Sequence, residues 1–491
     1  MVAALLVIAG GVLSMLDRGG EGPGSPAIPP SVTGDDDRPS IAVLLCDNFS
    51  PNPEDAFRAQ GIHEEILLRL QGISSIRSIG RTSVLQFSEN PPPVNEIADA
   101  LRVGFVGECS VLKDPEQTQI RVTFQLLDAA GTQLWAERYD RDLTVANIYD
   151  IQSEIAHRVA SSVGAVLMPA EEDRIATPPT ENLLAYDLYT RGRIFWWTRA
   201  EEALEQAIEL FQAAIAEDSA FAMAYAGLAE TYVILPEYGY RTIPEALPLA
   251  REAADMALSL DPDLAEAHTA SGYIKAVFEW DREGAERDYL RAIELNPDYG
   301  TAHQWYGEML GPSGRWEEAV AEIRIAIELD PRSPASNSLM GWLLTYTGRP
   351  AEAIQWLERS RTIAPEYPPP YWGLGQTYMS MGDYGAAASW YERAAALSGR
   401  DPEIARAFLA ALSDPAKIPE AIRVLGAPGD NLNAAQYLAL LGQADEAFAA
   451  LERAFDEHSP YLPWINSIPD YDGIRSDPRF QDLLRRLGFD P

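Results

Sequence analysis

One spacing constrains this chain more than any other feature. Ala285, Ala319, Ala353, Ala387 and Ala421 follow one another at intervals of 34 residues. Seven residues further on, Ala292, Ala326, Ser360 and Ala394 keep the same step, while Pro297, Pro331 and Pro365 close three of the units with Gly399 in the fourth place. Small side chains at fixed places let two helices cross closely, and a proline after the second helix stops it. A unit of this length is one helical hairpin. It cannot bury its apolar face alone and must stack on copies of itself, so this part of the chain has to be an all-α solenoid.

A 34-residue period with small residues at the crossings is the tetratricopeptide (TPR) signature. Tyr371-x2-Leu374-Gly375-x2-Tyr378, then Ala387-x3-Tyr391, matches it with tyrosine in the aromatic places, and Gly307 and Gly341 share the place of Gly375. Less regular copies precede these. Ala207, Ala214 and Ser219 form one. Ala250, Ala257 and Pro262 form another, after an insertion of about eleven residues around residues 235–244 that is expected on the turn between its helices. Downstream, Ala421 keeps register but Pro428 occupies a helix place, which predicts a short second helix, and Ala447 and Ala454 restart the pattern. The superhelix is expected over 180–490, closed by a polar-faced capping helix within 473–488.

Residues 40–168 follow a different rhythm. Strand-like runs at 41–45, 76–87, 103–111, 120–127 and 133–138 alternate with helical spacing at 54–70, 94–101 and 148–166. Asp128-Ala129-Ala130-Gly131-Thr132 reads as a hairpin turn. This order predicts an α+β domain, a mixed sheet with packed helices.

Several strings in this region carry a resemblance. They are Gly61-Ile62-His63-Glu64-Glu65-Ile66, Gly80-Arg81-Thr82-Ser83-Val84, Ile97-Ala98-Asp99-Ala100-Leu101-Arg102-Val103 and Val106-Gly107-Glu108-Cys109-Ser110-Val111. Ile120 to Ala129, Leu134-Trp135-Ala136-Glu137-Arg138-Tyr139-Asp140-Arg141 and Ile151-Gln152-Ser153-Glu154-Ile155-Ala156 complete the ordered set. Together they resemble the TolB-like domain of bacterial anchored signalling proteins. Leu45-Cys46 and Glu108-Cys109 depart from the usual Pro-Phe and Glu-Gly of such domains without breaking the strand pattern.

Residues 1–16 carry no charge and are rich in Leu, Val and Ile. As a helix they would span roughly 24 Å, slightly short of a hydrocarbon core. Without a basic n-region or a small-x-small cleavage site they read as an uncleaved membrane anchor, with a signal peptide or a mis-chosen start as alternatives. The run begins at the first residue, as it would if the chain started inside a longer protein. Residues 17–39, rich in Gly, Pro and Asp, have linker composition.

The formal net charge is −36, and no basic run occurs. Such a chain repels phosphate backbones, so nucleic-acid partners are excluded. The five histidines (His63, His157, His268, His303 and His458) show no metal-ligand spacing, and there is no phosphate-cradling glycine loop or nucleophile elbow. No catalytic, cofactor or metal residue is therefore assigned. His63-Glu64-Glu65 reads as a solvated helix face, and Trp196-Trp197 as core or groove aromatics. The two cysteines, Cys46 and Cys109, read best as buried thiols acting as small hydrophobes. A disulfide between them is the alternative if the domain is exported.

These readings favour a non-catalytic, membrane-anchored interaction scaffold or sensor. The resemblance implies single-pass insertion in the inner (cytoplasmic) membrane with the bulk of the chain in the periplasm. The alternative it implies is the exported regulatory part of a class III adenylate cyclase, a Ser/Thr kinase or a winged-helix regulator whose output domain is not in this chain. From Pro169 onward there are 52 acidic and 26 basic residues, a net charge of −26. Expected groove places include Gln304, Glu308, Trp342, Trp372, Gln376 and Met379, none of them cationic. Clamping a terminal carboxylate needs cations at such places, so neutral or basic peptides, not acidic tails, are the expected partners.

Overall fold

A computed structural model describes residues 37–489 except 53, 54, 89, 115, 117, 400, 401 and 427–430. The anchor expected at 1–16 and nearly all of the linker expected at 17–39 lie outside the described residues. Among the described residues, no helix is long and apolar enough to cross a membrane.

The first part of the chain is a mixed sheet in the order β3-β1-β4-β5-β6, with a short β2 also paired to β4. Strands β1 (Ser40–Val43), β2 (Asp47–Asn48) and β3 (Arg77–Ser78) run parallel to their neighbours. Strands β4 (Phe105–Lys113), β5 (Gln119–Asp128) and β6 (Gln133–Asp142) form an antiparallel meander. Period-two alternation on β1 serves both faces. Ile41 and Val43 join a core with Ile62, Ile66, Ile151 and Ile155 from helices Ala56–Gln71 and Val145–Ser162, while Ala42 and Leu44 face Ile97 and Leu101 of helix Val94–Leu101.

Two expectations fail here. The strand expected over 76–87 is only Arg77–Ser78. Residues Arg81–Val84 and Leu85–Phe87 are helical, because Val84 and Phe87 sit three apart and pack on Ile97 and Leu101 while the Gly80 amide donates to Leu329 O at 2.6 Å in the repeat array. The cysteines are not free thiols. Pairing of the segment after β1 with β4 brings Cys46 and Cys109 to a Cα separation of 4.5 Å, and they form a disulfide.

From Leu183 to Asp456 the described chain forms eight helical hairpins. Places that the period reserves for small residues are those where helices cross. A β-carbon built at Gly307, Gly341 or Gly375 would lie 2.8 Å from Ile323, 2.4 Å from Leu357 or 2.6 Å from Tyr391 of the paired helix. Ala285, Ala319, Ala353 and Ala387 are completely buried. The prolines have a second use. Their carbonyls at 262, 297, 331 and 365 are bonded by His268, His303, Asn337 and Tyr371, each six residues on, at 2.9, 2.9, 3.2 and 2.7 Å. The inserted residues of the second hairpin lengthen its helices, Ala222–Glu237 and Ile243–Leu260 (16 and 18 residues), more than its turn. Helix Ile418–Leu425 is short, with 8 residues. Helix Pro478–Arg486 lays Phe480, Leu483 and Leu484 on the array and turns its arginines outward.

Candidate interaction groove

First helices of successive hairpins touch one another as well as their own partners, so they line the inner side of the curve. The six candidate groove residues sit on three of them, Gly300–Leu310, Pro334–Tyr346 and Pro369–Ser380. They are not equivalent. Gln304 accepts a hydrogen bond from Ser336 Oγ at 2.9 Å on the next first helix. Trp342 is half-buried with its ring 6.0 Å from Tyr346, and Trp372 donates from Nε1 to Ser398 Oγ at 3.3 Å with its ring 5.7 Å from Tyr391. Met379 is buried with its sulfur 3.9 Å from the Tyr391 hydroxyl.

Glu308 and Gln376 face the chain's own C-terminal segment. Glu308 lines a cavity with Tyr273, Trp305, Tyr461 and Trp464. Burial, reinforced by the Glu237 carboxylate, pushes its pKa up to about 8. Gln376 accepts from the Tyr391 hydroxyl at 3.1 Å and donates to Asp470 at 2.7 Å. The period predicts a cap within 473–488, but residues 459–472, which enter the groove ahead of it, carry no periodic signal.

A second polar cluster lies where the sheet domain meets the first hairpins, and it overturns the solvated reading of His63-Glu64-Glu65. All three are buried. His63 Nε2 lies 2.9 Å from Val43 O, and burial, aided by the Arg81 charge, lowers its pKa to about 4. Glu64 accepts from Trp197 Nε1 at 3.0 Å and faces Arg81 at 3.6 Å and Arg193 at 4.0 Å. Burial raises the Glu65 pKa despite Arg69, and Tyr149 donates to its carboxylate at 3.4 Å. Arg193 pairs with Glu230 at 2.6 Å, and Tyr299 donates to the same carboxylate. Every charge in the cluster has a protein partner, and its charges bridge two domains, so it reads as an interdomain lock. Among the described residues, no group of His, Cys, Asp and Glu could hold a metal ion.

Stacked hairpins of this period and packing define a tetratricopeptide solenoid, here preceded by a small α+β domain. Family models described as "Tetratricopeptide repeat" match residues 344–412 and 312–368. The chain is 35% identical over 178 residues to "Putative adenylate cyclase 3" of Rhizobium meliloti (strain 1021), covering 36% of this chain and 29% of that protein, so it spans under a third of that relative's length. Among solved structures it is similar to PilW, a type IV pilus biogenesis factor, at 16% identity and a TM-score of 0.35, covering 44% of this chain and 94% of that one. It is also similar to YrrB, described as a TPR protein with an unusual peptide-binding site, at 22% identity and a TM-score of 0.28, covering 39% and 93%. Similarities at these scores carry no functional argument.

Proposed function

We propose that this chain is a non-catalytic, membrane-anchored interaction scaffold or sensor, in which a TolB-like domain and a TPR groove stand in the periplasm on a helix formed by residues 1–16. The observation that carries the reading is the groove itself: an inner face of amides, aromatics and one carboxylate whose pKa burial raises, with no cation at the six candidate places. The Cys46–Cys109 disulfide supports an oxidising compartment. A net charge of −26 from Pro169 onward favours neutral or basic peptides over acidic tails.

Peptide-array binding tests the groove assignment. Trp342→Ala and Trp372→Ala are expected to lose signal for neutral and basic peptides, and unchanged binding in both, or preference for acidic C-termini, removes the assignment. Cleavage of the C-terminal part by protease added to intact spheroplasts is the outcome expected for the topology.

A second reading is favoured by the cyclase-named relative: the chain is the regulatory, exported part of a class III adenylate cyclase, or of a kinase or winged-helix regulator. The reading frame upstream of Met1 discriminates, since continuation into such an output domain supports this reading over a free-standing scaffold.

A further inference from the structure

Between helices Ala444–Asp456 and Pro478–Arg486 the chain forms only single 3-10 turns, Leu462–Asn466 and Pro469–Tyr471, broken by Pro460, Pro463 and Pro469. Its partners lie far back in sequence. His458 stacks on Trp280 with centroids 3.8 Å apart. The Trp464 ring lies over Gly311, where an added β-carbon would be 2.4 Å from it, and its centroid is 6.1 Å from Trp316 and 6.4 Å from Tyr346. Asn466 Nδ2 donates to Pro312 O at 2.8 Å. Asp470 accepts from Gln376 at 2.7 Å and also from Gln436. A segment of successive turns thus crosses the turns of hairpins three and four, touches Tyr346 and Gln376 on the first helices of hairpins five and six, and reaches Gln436 in the eighth.

These contacts have the grammar of peptide recognition. An indole fills a seat vacated by a glycine, an amide fixes the backbone beside it, and two amides read one carboxylate six residues further on. Leu462, Ile465, Ile468 and Tyr471 of the segment join the buried core that holds Met379 and Tyr391, while beneath it Gln376 also binds Tyr391 and Trp316 lies 6.1 Å from Tyr346.

We infer that the face under residues 460–471 is the ligand groove of the array, held by the chain's own C-terminal segment, and that its partner is a protein segment of matching chemistry. That segment is turn-forming and proline-broken, with an indole followed six residues later by a carboxylate, and is otherwise neutral or basic. It binds by displacing the resident. This deepens the scaffold reading and rests on it.

The test uses the full chain and a fluorescent synthetic peptide of residues 458–472. The peptide should bind the Trp464→Ala chain at least about tenfold more tightly than wild type, because the tethered competitor no longer holds the site. A peptide carrying Trp464→Ala should not bind. Asp470→Ala in the chain, which leaves the indole seated, should shift affinity in the same direction by less, and serves if Trp464→Ala fails to fold. Equal affinity for wild type and variant, or no binding to a variant whose helical signal and hydrogen-exchange protection over 183–398 are retained, overturns the inference. Concentration-dependent dimers built by exchange of the segment also overturn it, since the occupant would then be a second copy. The measurement needs no outside partner, so its failure is distinguishable from failure of the array experiment.

Discussion

His63 occupies a site that favours its uncharged ring. The bond from Nε2 to Val43 O sets the tautomer, and burial together with Arg81 holds the pKa at about 4 against an unfolded value of 6.5. A group whose folded pKa is depressed binds fewer protons in the native state, so its contribution is present above pH 6.5 and is lost as pH falls from 6.5 through 4. Up to roughly 3 kcal/mol is at stake over that window. His63→Gln keeps an N–H for Val43 O and does not titrate, so its denaturation midpoint should fall less than that of wild type between pH 6.5 and 4. Parallel curves for the two proteins would show that His63 does not set the acid limb. Glu308 titrates with the opposite sense. Its raised pKa makes its contribution full below about pH 4.5 and removes it as pH rises through about 8.

At the level of elements, the hairpin crossings set the tolerances. Gly341 faces Leu357 at a distance no real β-carbon adopts, so Gly341→Ala should destabilise by about 1–3 kcal/mol through overpacking. Gly385, in the first turn of helix Tyr384–Ser398, has only Asp383 at 3.7 Å, so Gly385→Ala should stabilise by about 0.5–1 kcal/mol through helix propensity. Urea midpoints of the two variants should move in opposite directions, and movement in the same direction would contradict the crossing model. The crossings were legible because a solenoid writes its packing into its period, and helix Val94–Leu101 was legible to the residue because Pro93 and the apolar spacing bound it. What stayed hidden depends on distant partners. Glu64 looks solvated on its own helix, and its partners Arg81, Arg193 and Trp197, the last 133 residues on, show otherwise. The one local signal was Arg193 close to Trp196-Trp197, a cation among bulky aromatics that needs a buried anion. The Asp470 contacts are hidden in the same way, since an Asp after Pro469 reads as a turn residue.

For the whole molecule, the sheet domain is seated on the turns between hairpins. Asp298 accepts from Arg38 at 3.0 Å and from the Ser78 amide at 2.8 Å, and Asp330 accepts from Ser83. Asp298 is buried and Asp330 half-buried, and desolvation raises the pKa of each, to about 6 for Asp298, against the donors that hold them. Removing either leaves buried donors unpaired, at about 1–3 kcal/mol for each group. The double variant Asp298→Ala, Asp330→Ala should therefore separate the melting of the sheet domain from that of the array in calorimetry. An unchanged profile would mean that the remaining contacts, among them the Glu64–Arg193 cluster and the Arg58–Asp187 pair, suffice to hold the domains together.

The C-terminal helix also sets where force enters the molecule. In an open solenoid a pull on the last residue peels the final repeat first, because each repeat grips only its neighbours. Here Arg282 donates to Leu487 O at 3.0 Å and stacks on Phe489 at 3.6 Å, and Asn466 is bonded to Pro312. Tension applied at the C-terminus is shared with the third and fourth hairpins before the eighth can unravel, so the mechanically loaded rungs are those in the middle of the ladder.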